Sequence, residues 1–321
     1  MSGWGTVIDQ ESAPVRTRLK AVLASSEPTY AWERGETLVR ISLFLAAAFA
    51  VLMTLAIALV LAGEAAVFFA RVSPVEFFTG TVWSPDIRPL LFGVLPLLVG
   101  TLIVAGGAAG IGIPLGLGAA IFLREYAPAR VREVVKPVLE ILAGIPTIVF
   151  GFFGLLSISP VLQDWFGADF FNGMTAIIVI GILIVPLVSS LSEDALTAVP
   201  TDLRDGALAL GATRFEAVSR VVVPSAFSGI VASFLLAISR AVGETMVVLI
   251  VAGQNIRLEF NPFHQMQTMS TFIARRASGD VAAGELAYQA LFAVGFTLFL
   301  MTLALNVLSD RLRTRFREVY E

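Results

Sequence analysis

The chain has 321 residues, 57% of them hydrophobic and 15% charged, with a mean hydropathy of +0.85. Soluble domains sit at roughly 45–50% apolar and about 25% charged, so this composition points to an integral membrane protein. The net charge of −3 says little, but the absence of cysteine and the single histidine, His264, exclude disulfides, a thiolate metal site, a cysteine nucleophile and a histidine cluster within the chain.

Residues 1–37 are polar and mixed in charge, without the apolar core of a cleaved signal peptide, so the first apolar run is expected to be a genuine span. About 20 apolar residues suffice to cross a bilayer as a helix. Six such runs are predicted, at 41–63, 92–122, 138–159, 172–191, 226–252 and 286–308. The second contains "GGAAGIGIPLGLG", in which the pairs Gly106/Gly110 and Gly112/Gly116 would let neighbouring helices approach closely. Pro114 should kink that helix or divide it. These glycines do not match a dinucleotide fingerprint, and no strand or acidic partner follows them. Trp83 and Trp165 fall near predicted outer boundaries, where interfacial anchors belong.

Between the fourth and fifth spans lies "SEDALTAVPTDLRDGALALGATRFEAVSRVVVPSA", which carries more helix signals than a bare connector. Ser192 precedes two acidic residues, Thr201 and Asp202 can cap a helix after Pro200, and Gly206 and Gly211 interrupt the pattern. Two short helices joined at Gly211 and lying along the membrane face are expected, with an ordinary amphipathic interfacial segment as the plainer reading.

In the fifth span, "SFLLAISRAVGETMVVLIVAG" places Arg240 and Glu244 amid apolar residues. An Arg near the bilayer centre costs about 2.5–3.5 kcal/mol even on a lenient scale, so it should face protein or water. Glu244 is four residues on and is therefore expected on the same helical face, with Ser233, Ala237 and Gly243 on or near it. Two readings stand: a structural ion pair that locks helices, or part of a translocation path for an anion, since a guanidinium offers a planar fork of donors to oxyanions. Glu140, near Lys136, reads as an interfacial charge, with a place at the inner mouth as the other reading.

Charge placement gives the orientation. Sixteen of the 22 Lys and Arg fall on one side (Arg16, Arg18, Lys20, Arg34, Arg40, Arg124, Arg130, Arg132, Lys136, Arg204, Arg214, Arg220, Arg311, Arg313, Arg315 and Arg317). Five fall opposite (Arg71, Arg88, Arg257, Arg275 and Arg276), leaving Arg240 inside. Both termini are therefore expected to be cytoplasmic.

The loop between spans four and five resembles the signature of permease subunits of ABC importers. That signature reads Glu-Ala-Ala, three residues, Gly, nine residues, Ile, any residue, Leu-Pro. Here Asp205-Gly206-Ala207 is followed by Gly211 and then by Val221-Val222-Val223-Pro224, at the same spacing. The resemblance implies an all-α integral membrane protein of six transmembrane helices, type I ABC importer permease-like, with a cytoplasmic coupling helix. Asp205, Gly206, Ala207 and Gly211 would dock in a groove of an ATPase subunit. The departure is Asp205-Gly206 in place of Glu-Ala, and a glycine should loosen that helix by up to about 1 kcal/mol. A P-loop is missing: the two lysines, Lys20 and Lys136, lie in Leu-Lys-Ala and Val-Lys-Pro, so any ATP and Mg must be bound by a partner ATPase and no cofactor is expected in this chain.

Two further segments, "LAGIPTIVFGFFGLL" and "SRAVGETM", resemble the phosphate-specific Pst permeases, and Met246 together with "QTMSTFIA" resembles their PstC-type subunit. That implies a phosphate path through Arg240 and Glu244. It also implies a PstA-like second permease, a PstB-like ATPase dimer, a PstS-like extracytoplasmic binding protein and a prokaryotic plasma (inner) membrane. The expected organisation is a cytoplasmic segment 1–37, a first span and outer loop 38–92, a permease core 93–309 with its coupling loop at 192–224, and a cytoplasmic tail 310–321. The alternatives are a permease for another small oxyanion, the PstA-type role, or a secondary transporter, which would need no docking loop. An intramembrane enzyme lacks a nucleophile–base pair or metal ligands in its spans.

Overall fold

The computed structural model describes residues 30–85, 88–279 and 285–315. The expected N-terminal segment 1–37 and tail 310–321 fall largely outside these residues, and with them several charges used for the orientation, among them Arg16, Arg18, Lys20 and Arg317. The chain divides into two compact units, residues 1–59 and 60–321. The described part of the first is the opening stretch of helix α1 (Tyr30–Phe69), where Leu38, Phe44, Phe49 and Leu55 are exposed, as side chains that meet lipid tails are.

In the second unit, α1 ends at Phe69 and a short helix α2 (Pro74–Thr79) leads into a small antiparallel hairpin, β1 (Trp83–Ser84) and β2 (Leu91–Phe92), with Trp83 opposite Phe92. Trp83 is not an interfacial anchor. It is 4% exposed and meets Phe77, Phe92 and Phe272 edge to face, so it packs one end of the bundle. Trp165, 80% exposed, does stand outward as expected.

Helix α3 (Leu95–Ile121) runs unbroken through Pro114 and ends in a π-helical turn, Phe122–Tyr126. Membrane helices tolerate an internal proline when local backbone adjustment satisfies the freed carbonyl. Here the residue four positions earlier is Gly110, around which nothing crowds. The predicted third span is displaced. An amphipathic helix α4 (Ala129–Gly144) stops at Ile145, held extended before Pro146. The apolar stretch that follows consists of α5 (Thr147–Phe153), a π-helical turn (Gly154–Ile158) and α6 (Ser159–Phe166).

Helix α7 (Gly173–Thr197) is capped by the buried Asn172, whose side chain accepts from the Thr175 amide at 2.8 Å. It extends past the predicted end of the fourth span, so Ser192 lies within it and starts no new helix. Next come α8 (Thr201–Ala209), α9 (Arg214–Ala217), a π-helical turn (Val218–Val222) and α10 (Val223–Ser225). The fifth span comprises α11 (Phe227–Gly243) and α12 (Met246–Val251), and its first helix is bent by 70° from the segment Arg214–Ser225. Helices α13 (Met269–Ala277) and α14 (Leu286–Arg315) complete the chain. Among the described residues, five helical segments are long and apolar enough to cross a membrane, and six if Arg214–Ser225 and Phe227–Gly243 form one span.

The central core joins α3, α7, α11 and α12 through Val104, Ala108, Ile180, Ile184, Val188, Ala237, Val247 and Val251. Glycine makes this approach possible: a Cβ at Gly112 would lie 2.3 Å from Ile184 Cγ1, and one at Gly116 would lie 2.6 Å from Val188 Cβ. The other predicted pair, Gly106/Gly110, has nothing within 4 Å and faces away from this seam. Gly112→Val should therefore lower the melting temperature of the purified chain, by overpacking of about 1–3 kcal/mol. Gly106→Ala should leave it unchanged or raise it by up to about 1 kcal/mol; thermal unfolding in detergent reads both.

Candidate functional site

The two charges of the fifth span do not share a helical face. Helix α11 ends at Gly243, Glu244 is extended (φ −65°, ψ 125°), and the chain re-enters helix at Met246. Arg240 thus occupies the last turn of α11, where a cation is favoured by the free carbonyl ends. Glu244 lies beyond the break, and its Oε1 accepts from the Val247 amide of α12 at 3.4 Å. No ion pair within 4 Å joins Arg240 to Glu244 among the described residues. The interruption itself is satisfied locally: Thr245 Oγ1 donates to the Gly243 carbonyl at 3.1 Å, and Ser270 Oγ to the Glu244 carbonyl at 2.9 Å. Ser270 belongs to α13, which is docked on α3 where the Met269 amide donates to Thr101 Oγ1 at 3.0 Å.

Ser233 and Ala237, expected on or near the face of Arg240, are instead buried. Ser233 Oγ lies 2.9 Å from Ser192 Oγ of α7, a contact that packs two helices. Arg240 and Gly243 are exposed and Glu244 is half-buried. Arg240 also borders a cavity of about 210 Å³ walled by Leu123, α4 and α7. The same lining holds Lys136, Glu140, Ser189, Ser190 and Glu193. Lys136 Nζ lies 3.4 Å from Glu193 Oε2, with the glutamate side chain 10% exposed and the lysine 45%. Glu140 therefore takes its place at this chamber. Glu193 was missed because the fourth span was expected to stop at 191; Leu196, at helical spacing from Ser192, was the available signal that the helix continues.

Helices α8 (Thr201–Ala209) and α9 (Arg214–Ala217) form the expected pair of short helices, with Gly211 between them. Gly211 has φ +88°, a conformation that ends α8 and that other residues rarely adopt. Asp205, Gly206 and Gly211 are exposed and Ala207 half-buried. Leu210 and Phe215, 91% and 71% exposed, form an apolar surface beside them. Thr213 caps α9 reciprocally with Glu216, and the Thr213 amide, then its hydroxyl, hold the Glu216 carboxyl below the ordinary carboxylate range. That contribution is present above the ordinary carboxylate pKa and is lost as pH falls through the lowered value.

A lock that the sequence did not show joins this loop to the end of α3. Glu125, 3% exposed, has its Oε2 3.2 Å from Arg204 NH1 of α8, close but without hydrogen-bond alignment. Arg214 donates to the Glu125 carbonyl and lies over the Tyr126 ring at 5.2 Å. Arg132 of α4 donates to the Leu123 carbonyl at 2.9 and 2.6 Å and to the Arg124 carbonyl at 2.9 Å. One short segment thus ties α3, α4 and α8 together. His264 plays no part here, lying 3.5 Å from Asp169 Oδ2 in the opposite loop.

The family described as "binding-protein-dependent transport system inner membrane component" matches residues 112–318. The probable ABC transporter permease protein YqgH of Bacillus subtilis is 36% identical over 245 residues, 75% of this chain and 79% of that protein. The phosphate transport system permease protein PstC of Haemophilus influenzae is 34% identical over 263 residues, 76% of this chain and 82% of its own length. Among solved structures, the MetNI methionine ABC transporter in inward-facing form superposes with a TM-score of 0.56 at 19% identity, over 73% of this chain and all of that one. A bacterial alginate ABC transporter bound to its periplasmic protein gives 0.62 at 15%, over 92% of this chain and all of that one. At such identities these two show the fold alone, that of a type I ABC importer permease.

Removing Arg204 would leave the Glu125 carboxylate buried and unpaired, which costs about 3–5 kcal/mol when a buried pair is broken. Arg204→Ala should therefore lower the melting temperature, and Glu125→Gln added to it should restore most of the loss in a double-mutant cycle.

Proposed function

The chain belongs to the binding-protein-dependent transport system inner membrane component family, the permease subunits of ABC transporters, and on that premise we propose that it is the PstC-type permease of an inorganic phosphate importer. The observation that carries this reading is Arg240: a guanidinium at the end of an interrupted membrane helix, exposed, and bordering a chamber between α4 and α7. A planar fork of donors held against low-dielectric walls attracts an oxyanion strongly. Its position at a broken helix separates it from Glu244, and among the described residues no carboxylate forms an ion pair with it within 4 Å to compete with the substrate. The similarity to a phosphate permease supports phosphate over other oxyanions.

In this reading the chain forms half of the path and a related, PstA-like permease forms the other half. ATP and Mg are bound and ATP is hydrolysed by a separate, PstB-like ATPase dimer, which receives the exposed turn at Asp205, Gly206, Ala207 and Gly211. Phosphate is delivered on the opposite side by a PstS-like binding protein, and both termini face the cytoplasm of a prokaryotic cell. The Glu125–Arg204 and Arg214 contacts give the docking turn a rigid connection to α3, so a push on α8 is carried into the bundle.

Arg240→Gln should abolish phosphate uptake by the reconstituted complex while subunit assembly and membrane level stay unchanged. Loss of assembly would instead make Arg240 a structural residue, and uptake of sulfate or molybdate in preference to phosphate would reassign the substrate. Ala207→Arg should prevent the ATPase from co-purifying, leaving the chain itself folded and inserted.

A further inference from the structure

The chamber that Arg240 borders is lined by a second set of polar residues, carried by α4 and α7. Glu193 is 8% exposed and is held by Lys136, which reaches it from the half-exposed side. Ser189, one turn before Glu193 on α7 and 1% exposed, has a hydroxyl with no hydrogen-bond partner among the described residues. Serine and threonine in membrane helices usually bond back to a carbonyl one turn earlier, as Thr101 and Thr297 do here. A buried hydroxyl left without a partner calls for an explanation. Apart from these groups, Arg240, Glu140 and Ser190, the lining is apolar, with Leu139, Leu183, Pro186 and Leu187, so a charge inside is weakly screened.

From this arrangement we propose that the chamber is an inner anion site, where a small tetrahedral oxyanion leaving Arg240 is held by Lys136 and by the Ser189 hydroxyl once its side chain rotates toward the space. When the site is empty, Glu193 occupies the lysine in the anion's place. An ammonium suits this exchange because it is a point charge with three donors on a flexible stem and can pivot between two acceptors. Glu193 and Glu140 border the same space, so the bound oxyanion is repelled as soon as Lys136 turns back. Conduction needs such a site, favourable enough to enter and weak enough to leave. The cavity of about 210 Å³ accommodates one oxyanion with some of its water, each water taking about 30 Å³.

The inference rests on the phosphate reading, but its test does not depend on transport. The chain has two lysines, Lys136 and Lys20, so labelling of amines in the purified complex reports Lys136 with Lys20 as an internal reference. Inorganic phosphate, added without ATP at constant ionic strength, should protect Lys136 and leave Lys20 unaffected. Ser189→Ala should raise the half-protecting phosphate concentration about tenfold, the effect of one hydrogen bond to a charged ligand. Because the hydroxyl has no protein partner, that variant should keep or raise the melting temperature, which separates lost binding from lost folding. Glu193→Gln, which frees Lys136, should lower the same concentration severalfold. No protection at any phosphate concentration, or identical protection in Ser189→Ala, overturns the inner site. Phosphate uptake measured on the same preparation keeps the two readings apart. Uptake without protection removes the chamber and leaves the importer, whereas protection without uptake removes the importer and leaves the chamber.

Discussion

Inside a bilayer no water is available to a backbone group that lacks a partner, so a membrane helix that stops midway must find its partners within the protein. The break at Glu244 and Thr245 is met in this way. Thr245 and Ser270 donate to the Gly243 and Glu244 carbonyls, and the Glu244 carboxylate accepts from the Val247 amide of α12. Much of the surrounding architecture follows from it. Ser270 can reach the break only because α13 is seated on α3 through Thr101, and that seat needs Gly100, where a Cβ would lie 2.4 Å from the Gln267 carbonyl.

The same break explains how a guanidinium can be kept in the membrane without being neutralised. On an uninterrupted helix Glu244 would sit one turn from Arg240 and occupy it. With the helix stopped at Gly243, the cation rests on the negative end of α11 while the carboxylate serves α12. Each charge complements a helix terminus, and the guanidinium keeps its donors for something else. Arg240 and Lys136 then border one chamber from different helices, with two glutamates to balance them.

The opposite requirement, rigidity, is met at the end of α3. Glu125, Arg204, Arg214 and Arg132 converge on the π-helical turn Phe122–Tyr126, whose irregular hydrogen bonding leaves carbonyls for arginine side chains to use. The exposed apolar turn at Leu210 and Phe215 is therefore not a loose loop but is braced against the end of α3. Beside it, Ala120, Leu196, Val222, Ala226 and Ile230 form a small core of their own, which ties this segment to α7 and α11.

Composition and run length determined the membrane class and most of the spans, because a bilayer demands continuous apolar stretches whatever the packing. The two short helices between the fourth and fifth spans were legible too, since Gly211 acts locally on the backbone. The expected caps at Ser192, Thr201 and Asp202 were not formed, and Thr213 with Glu216 caps the second helix instead. The Gly112/Gly116 seam could be read as a helix contact, but which of two glycine pairs would form it could not, as both obey the same spacing. Only the tertiary structure decided that Trp83 packs a core, that Ser233 and Ala237 are buried, and that Arg240 and Glu244 stand on opposite sides of a helix break. The last of these has its reason in the break itself. Helical periodicity assigns faces only while a helix continues, and whether it continues depends on partners such as Ser270 and Thr101 that lie far away in the chain. Lys136, Ser189, Glu193 and Arg240 share no motif, and α4, α7 and α11 bring them to one chamber only by folding.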